Sequence, residues 1–81
     1  MAVQHPHDKK FFGEILRAYR TEKQLTQEQL SERVDVLRSF ISSLENGSRQ
    51  PSLAMILKLA NALNIMPGQL IDPIAKKMNE K

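Results

Sequence analysis

Eighty-one residues with a formal charge of +3 and no cysteine make one small domain, and they exclude disulfides and thiolate metal sites. No apolar run approaches the roughly 20 residues needed to cross a bilayer, and the N-terminus lacks the apolar stretch of a secretory signal. A soluble cytoplasmic protein is therefore expected, with a mild basic excess that is compatible with nucleic acid without demanding it.

The chain divides into a flexible N-terminal tail over residues 1–8, a helical domain over 9–72 and a C-terminal helical tail over 73–81. His5 and His7 flank Pro6 in the first tail. Two isolated imidazoles do not complete a zinc shell, so neither a metal nor a cofactor is expected. The first helix opens near Asp8, an N-cap candidate, and runs to about Lys23. Phe12, Leu16 and Tyr19 recur at helical spacing, with Phe11 and Ile15 beside them, and are expected in the core. The second helix has a clear start, because Thr26-Gln27-Glu28-Gln29 fits a capping box. Leu30 and Val34 supply its buried side. Asp35 stands where the chain must turn sharply, a place where aspartate tolerates a left-handed backbone better than most residues.

The third helix is expected from about Leu37 to Asn46. At roughly 100° per residue, Leu37, Phe40, Ile41 and Leu44 fall on one side and Arg38, Ser39, Ser42 and Ser43 on the other, with Glu45 at the flank of the apolar side. Three serines are poor choices for helix stability. An ordinary solvated face would carry Glu, Lys or Gln, so the small hydroxyls point to a surface that another molecule approaches closely. Gly47 supplies a left-handed C-terminal cap. Pro51 then breaks the chain, and Ser52 caps a fourth helix over about 53–63 with Leu53, Ile56, Leu57, Ala60 and Leu63 as its buried stripe. Asn64 closes it at positive φ, and Ile65 turns back into the core. A short fifth helix opens at Pro67 and carries Leu70 and Ile71. Asp72-Pro73 reads as a cap and restart, because a proline inside a helix costs about 3 kcal/mol. Ile74, Ala75 and Met78 share one side of the final piece.

The class is all-α. Its centre, residues 26–46, is two short helices joined by a tight turn. The second of them has one face to anchor it in a core and another offering hydrogen-bonding groups to the edges of base pairs, which reads as a helix-turn-helix. This segment is not itself basic. Residues 25–50 carry three basic and four acidic groups, against five and three in 1–24 and four and two in 51–81. Any affinity for DNA must come from a few placed contacts with help from the flanking helices.

Laid out this way, the chain resembles the lambda-repressor-like helix-turn-helix family in its Cro/Xre branch. The similarity runs from about Phe12-Gly13 to Ile71. It is carried by Leu25-Thr26-Gln27-Glu28-Gln29-Leu30, by Ile41-Ser42-Ser43-Leu44-Glu45-Asn46-Gly47, by Arg49-Gln50-Pro51-Ser52-Leu53, and by Leu57-Lys58-Leu59-Ala60 with Ala62-Leu63. The small size is similar to that of restriction–modification controller proteins and small repressors. The resemblance implies a five-helix domain, here with a short C-terminal helical extension, that binds near-palindromic double-stranded DNA as a homodimer and regulates transcription. Three positions depart from the family pattern. Asp35 replaces the turn glycine, Leu37 replaces the Ser or Thr that caps the third helix, and Gln24 replaces the glycine after the first helix.

In such proteins the N-terminal part of the second motif helix enters the major groove. Arg38 is then the expected base reader, since a guanidinium can bond bidentately to guanine. Ser39, Ser42 and Ser43 are less specific readers. Phe40 stands at the edge of the apolar stripe, either in the core or against a thymine methyl or sugar. Gln27, on the first turn of the second helix, and Asn46, Ser48 and Arg49, just past the third, are expected at phosphates. The resemblance also implies a structural ion pair between Arg20 and Glu45. Met55, Met66, Ile71, Ile74 and Met78 have no evident place in the core and are expected at a dimer interface. A competing class is an antitoxin-type module that binds a second protein and DNA only secondarily. An enzyme is not expected, because the carboxylates are scattered over helix surfaces.

Overall fold

The computed structural model describes residues 8–78, apart from the side chains of Asp8 and Met78. The expected tail with His5 and His7, the expected dimer contact of Met78, and residues 79–81 lie outside what is described. Among the described residues there are five helices and no strand: α1 (Asp8–Glu22), α2 (Gln27–Val34), α3 (Arg38–Glu45), α4 (Leu53–Ala62) and α5 (Pro67–Met78). Asp8 is the first residue of α1 rather than its cap.

Each of the first four helices ends with the same pair of hydrogen bonds. After α1 the Leu25 amide donates to the Arg20 carbonyl (3.1 Å) and the Gln24 amide to that of Thr21 (2.9 Å). The pattern repeats with Val36 to Ser31 and Asp35 to Glu32, with Ser48 to Ser43 and Gly47 to Leu44, and with Ile65 to Ala60 and Asn64 to Asn61. This is the Schellman closure, which satisfies carbonyls that the helix itself leaves open. It needs a left-handed residue, and Gln24, Asp35, Gly47 and Asn64 all have φ between +57° and +84°. The residue after each of Gln24, Asp35 and Asn64 is apolar and turns inward: Leu25 is buried, and Val36 and Ile65 pack against the core. A γ-branched or straight side chain at positive φ is strained, and Gln24 is exposed with nothing to compensate. Gln24→Gly is therefore expected to raise stability by about 0.5–1 kcal/mol, a few degrees in melting temperature. A thermal melt that falls or stays level contradicts this.

The starts of α2 and α4 follow the expected capping chemistry. The Thr26 hydroxyl accepts from the Gln29 amide (3.0 Å) while the Gln29 side chain accepts from the Thr26 amide (2.8 Å). Ser52 accepts from the Met55 amide at 3.1 Å. A single core joins all five helices: Phe12 and Leu16 of α1, Leu25, Leu30 and Val34 of and before α2, Ile41 and Leu44 of α3, Leu59, Ala60 and Leu63 of and after α4, and Leu70 of α5. Phe11 is half-buried, with the Lys77 ammonium 5.4 Å from its ring centroid, which ties the end of α5 to the start of α1.

Four expectations need correction. Leu37 is not on the buried side of α3: it is the N-cap, with extended backbone, and is 76 % exposed. Leu53 and Leu57 are not in the buried stripe of α4 and are 68 % and 49 % exposed. Nearly every position of that helix is apolar, so periodicity alone does not choose a face; packing on α2 and α5 selects Ile56, Leu59, Ala60 and Leu63. Glu45 is fully buried rather than at a flank. Finally, α5 runs through Pro73 without a restart. The missing proline N–H leaves only the carbonyl four residues earlier, that of Gln69, without its helical partner. Gln69 is exposed, so water can serve that carbonyl, while Ile74 packs on the core and holds the second half of the helix in line.

Candidate nucleic-acid interface

The outward face of α3 is built from the core upward. Ile41 and Leu44 fix the rotation of the helix, and that rotation leaves Arg38 and Ser39 exposed with Ser42 and Ser43 half-exposed. The Ser43 hydroxyl donates to the Phe40 carbonyl at 2.7 Å, which turns its proton into the helix and its lone pairs outward. Ser39 and Ser42 lack such a bond.

The last residue of α3 carries the charge that organises the site. The Glu45 carboxylate is fully buried, and every buried polar side-chain atom among the described residues has a partner. Arg20 from α1 donates through Nε to Oε2 at 2.6 Å and through Nη2 to Oε1 at 3.1 Å, a fork matched to a carboxylate. Its remaining Nη1 donates to the Leu25 carbonyl at 2.6 Å, which pins the α1–α2 turn to the same point. Arg17 donates to Oε1 at 3.3 Å and Gln27 at 3.0 Å. Burial by itself pushes the Glu45 pKa up. The hydrogen bonds from Arg20 and Gln27, the Arg20 charge and the Arg17 bond outweigh that and hold it below the usual carboxylate value.

Gln27 passes this organisation on to the exposed face. While its Nε2 donates to Glu45, its Oε1 accepts from Arg38 Nη1 at 3.2 Å. A chain of contacts therefore runs Arg20–Glu45–Gln27–Arg38, from the interior to the first residue of α3. The Gln27 amide group is committed at both ends and the Gln29 backbone amide is taken by Thr26, so the backbone amides of Gln27 and Glu28, outside the helical ladder, are the donors left to face an anion there.

The other end of α3 forms a second group. Asn46 Oδ1 accepts from the Ser48 amide at 2.9 Å, and both the Ser48 and Arg49 amides donate to the Ser43 carbonyl. The Ser48 hydroxyl also donates to the Ser43 carbonyl, at 3.2 Å, so these loop groups are used internally and the side-chain donors left free are the Asn46 amide nitrogen and the Arg49 guanidinium. The Arg49 guanidinium lies 5.2 Å from the centroid of the half-buried Phe40 ring, which serves it as a platform. Gly47 at φ +84° lets α1 approach so closely that a Cβ there would meet Lys10 Cα at 2.8 Å.

Arg17 was not among the residues singled out from sequence. It stands three positions before Arg20 on α1, the spacing that puts two side chains on one helix face, and that spacing was its only signal. Of the expected dimer residues, Met55 and Ile74 pack against the protein's own core and Ile71 is half-buried, whereas Met66 is 71 % exposed.

A family model described as helix-turn-helix matches residues 16–70. Over 62 residues the chain is 39 % identical to the control protein C.BamHI of Bacillus amyloliquefaciens, spanning 75 % of this chain and 76 % of that one. It is 37 % identical over 67 residues to the control protein C.MunI of a Mycoplasma species, spanning 82 % and 90 %. Among solved structures, the restriction–modification controller protein C.AhdI from Aeromonas hydrophila superposes with a TM-score of 0.80 at 44 % identity, covering 84 % of this chain and 99 % of that one. Matched over most of its length in both sequence and fold, the chain belongs to the Cro/C1-type helix-turn-helix family of DNA-binding transcription regulators.

Proposed function

We propose that this protein regulates transcription by binding a near-palindromic operator as a homodimer, with the start of α3 in the major groove of each half-site. The observation that carries the reading is the chain of contacts ending at Arg38. A fully buried carboxylate at the end of α3 ties that helix to two arginines of α1 and to Gln27 of α2, and the last link, from Gln27 to Arg38, steadies an exposed guanidinium at the helix start. A side chain ordered before binding loses less freedom on contact with a base. The similarity to control proteins supports regulation as the outcome of binding.

Arg38 reads guanine, with Ser39, Ser42 and Ser43 adding contacts to base edges. Arg49, backed by Phe40, binds a phosphate at the far end of α3, together with Asn46 and with the Ser48 hydroxyl once it turns from the Ser43 carbonyl. Phosphate contact at the start of α2 comes from backbone amides beside Gln27. Dimerisation centres on Leu53, Leu57 and Met66, the exposed large apolar side chains on α4 and the turn after it. Met55 adds to this face, while Ile71 and Ile74 support it from within the protomer.

Selection of bound duplexes from a random pool tests the proposal. A motif with two-fold symmetry and half-sites about one helical turn apart is the expected result. An unsymmetric motif overturns the dimer, and no enrichment overturns sequence-specific binding. Two substitutions separate the roles. Arg38→Ala is expected to reduce preference at one base pair per half-site by about tenfold to a hundredfold. Arg49→Ala is expected to weaken all sequences alike and to reduce the slope of affinity against salt by roughly one per site. Quantitative binding to a panel of single-base variants at several salt concentrations checks both.

A further inference from the structure

The N-cap of α3 is the anomaly of this site. The helices on either side begin with hydroxyl caps that bond to a first-turn amide, Thr26 to Gln29 and Ser52 to Met55. Leu37 occupies the same position of α3 and makes no side-chain cap bond, because it has no oxygen to offer. Leucine is among the least favourable N-cap residues, and it contributes nothing to the core in exchange, with three quarters of its surface open. It stands immediately before Arg38. Its exposed isobutyl group therefore lies at the end of α3 that the functional reading above places in the groove.

We infer that Leu37 is a specificity-determining residue that packs against the C5-methyl of a thymine. This rests on the DNA-binding reading and goes beyond it. Thymine is the one base that presents a methyl group in the major groove; the recognition groups of adenine, guanine and cytosine there are donors and acceptors, whose burial under leucine would leave them unpaired. A protein partner fits less well. The other exposed large apolar side chains, Leu53, Leu57 and Met66, are on α4 and the turn that follows it, whereas the neighbours of Leu37 on α3 are Arg38 and Ser39. A leucine beside a guanidinium and a hydroxyl matches a base-pair edge with one methyl among polar atoms.

The test uses the full chain, the duplex it selects, and copies of that duplex in which each thymine is replaced singly by deoxyuridine, which removes the methyl and nothing else. Wild type is expected to lose about fourfold in affinity at one thymine per half-site, the value of one buried methyl group. Leu37→Ser restores a cap, so it is expected to melt a few degrees higher while binding the thymine and deoxyuridine duplexes equally. That combination, a more stable protein that no longer senses the methyl, is not produced by damage to the fold. Leu37 is overturned as a reader if wild type is indifferent to every replacement, if the motif lacks a thymine in the half-site, or if Leu37→Ser keeps the same sensitivity. Each of those outcomes leaves sequence-specific binding standing, whereas failure to select any duplex removes both.

Discussion

Gly13→Ala is expected to lower the melting temperature by more than about 10 °C. Alanine at this position would place its Cβ 2.3 Å from the Glu45 carbonyl oxygen, 2.5 Å from that of Leu44 and 2.7 Å from the Glu45 carbonyl carbon. All three atoms are backbone at the end of α3, so no side-chain rotation relieves the contact, and α1 and α3 must separate. Overpacking of this kind costs about 1–3 kcal/mol and sometimes more, and for a domain of this size each kcal/mol is worth roughly 4–8 °C. The sign is diagnostic. In an isolated helix the same substitution would stabilise by about 1 kcal/mol, because alanine is the better helix former. A fall in the thermal melt followed by circular dichroism reports the close approach of the two helices; a rise would contradict that approach. Separation would also pull Glu45 away from Arg17 and Arg20, so DNA affinity is expected to fall at temperatures where the variant is still folded.

Removal of the Glu45 carboxylate is expected to have an effect of similar size. In Glu45→Ala, Arg20 loses two of its three hydrogen bonds and keeps only the one to the Leu25 carbonyl, while Arg17 and Gln27 each lose their acceptor. Breaking a buried, hydrogen-bonded ion pair from one side costs about 3–5 kcal/mol, most of it from the charge left without a partner. Glu45→Gln keeps the shape and isolates the charge, which shows in the pH dependence. The folded protein holds the Glu45 pKa below its unfolded value. The carboxylate therefore contributes its full stability above the unfolded pKa, about 4.3, and that contribution is lost as pH falls through this value toward the lower folded one. Wild type is expected to lose stability to denaturant steadily below about pH 5, and Glu45→Gln to show a flatter profile over the same range. Parallel profiles for the two proteins would mean that Glu45 is not the group responsible. Because Gln27 links Glu45 to Arg38, both substitutions are also expected to blunt the base preference assigned to Arg38.

Features governed by a few adjacent residues were legible in the sequence. The reciprocal Thr26–Gln29 cap, the Ser52 cap and the left-handed positions at Asp35, Gly47 and Asn64 all depend on backbone geometry within about five residues, and each residue type states its preference locally. The same is true of the polar side of α3. Ile41 and Leu44 can be buried together in only one rotation, which turns Arg38 and Ser39 outward. The order of the helices and the motif at their centre followed from these local signals and from the fragments that carry the family resemblance.

Most of the misread positions share another property: they were decided by a neighbour distant in sequence. In α4 almost any face could have been buried, and contact with α2 and α5 chose the one that excludes Leu53 and Leu57. Leu37 matched the apolar stripe of α3 by angle but falls at the helix end, beyond the reach of the core. Pro73 carried a penalty that held for an isolated helix and was offset once Ile74 docked on the core and Gln69 stayed in water. Arg17 and Gly13 acquired their roles only because α1 lies against the end of α3. The amino-acid sequence by itself therefore determined where the first four helices end and where α2 and α4 begin, since those events are local contests among backbone and side-chain hydrogen bonds. Only the tertiary structure decided which apolar side chains are buried and which charges meet, because burial and pairing depend on surfaces brought together from distant parts of the chain.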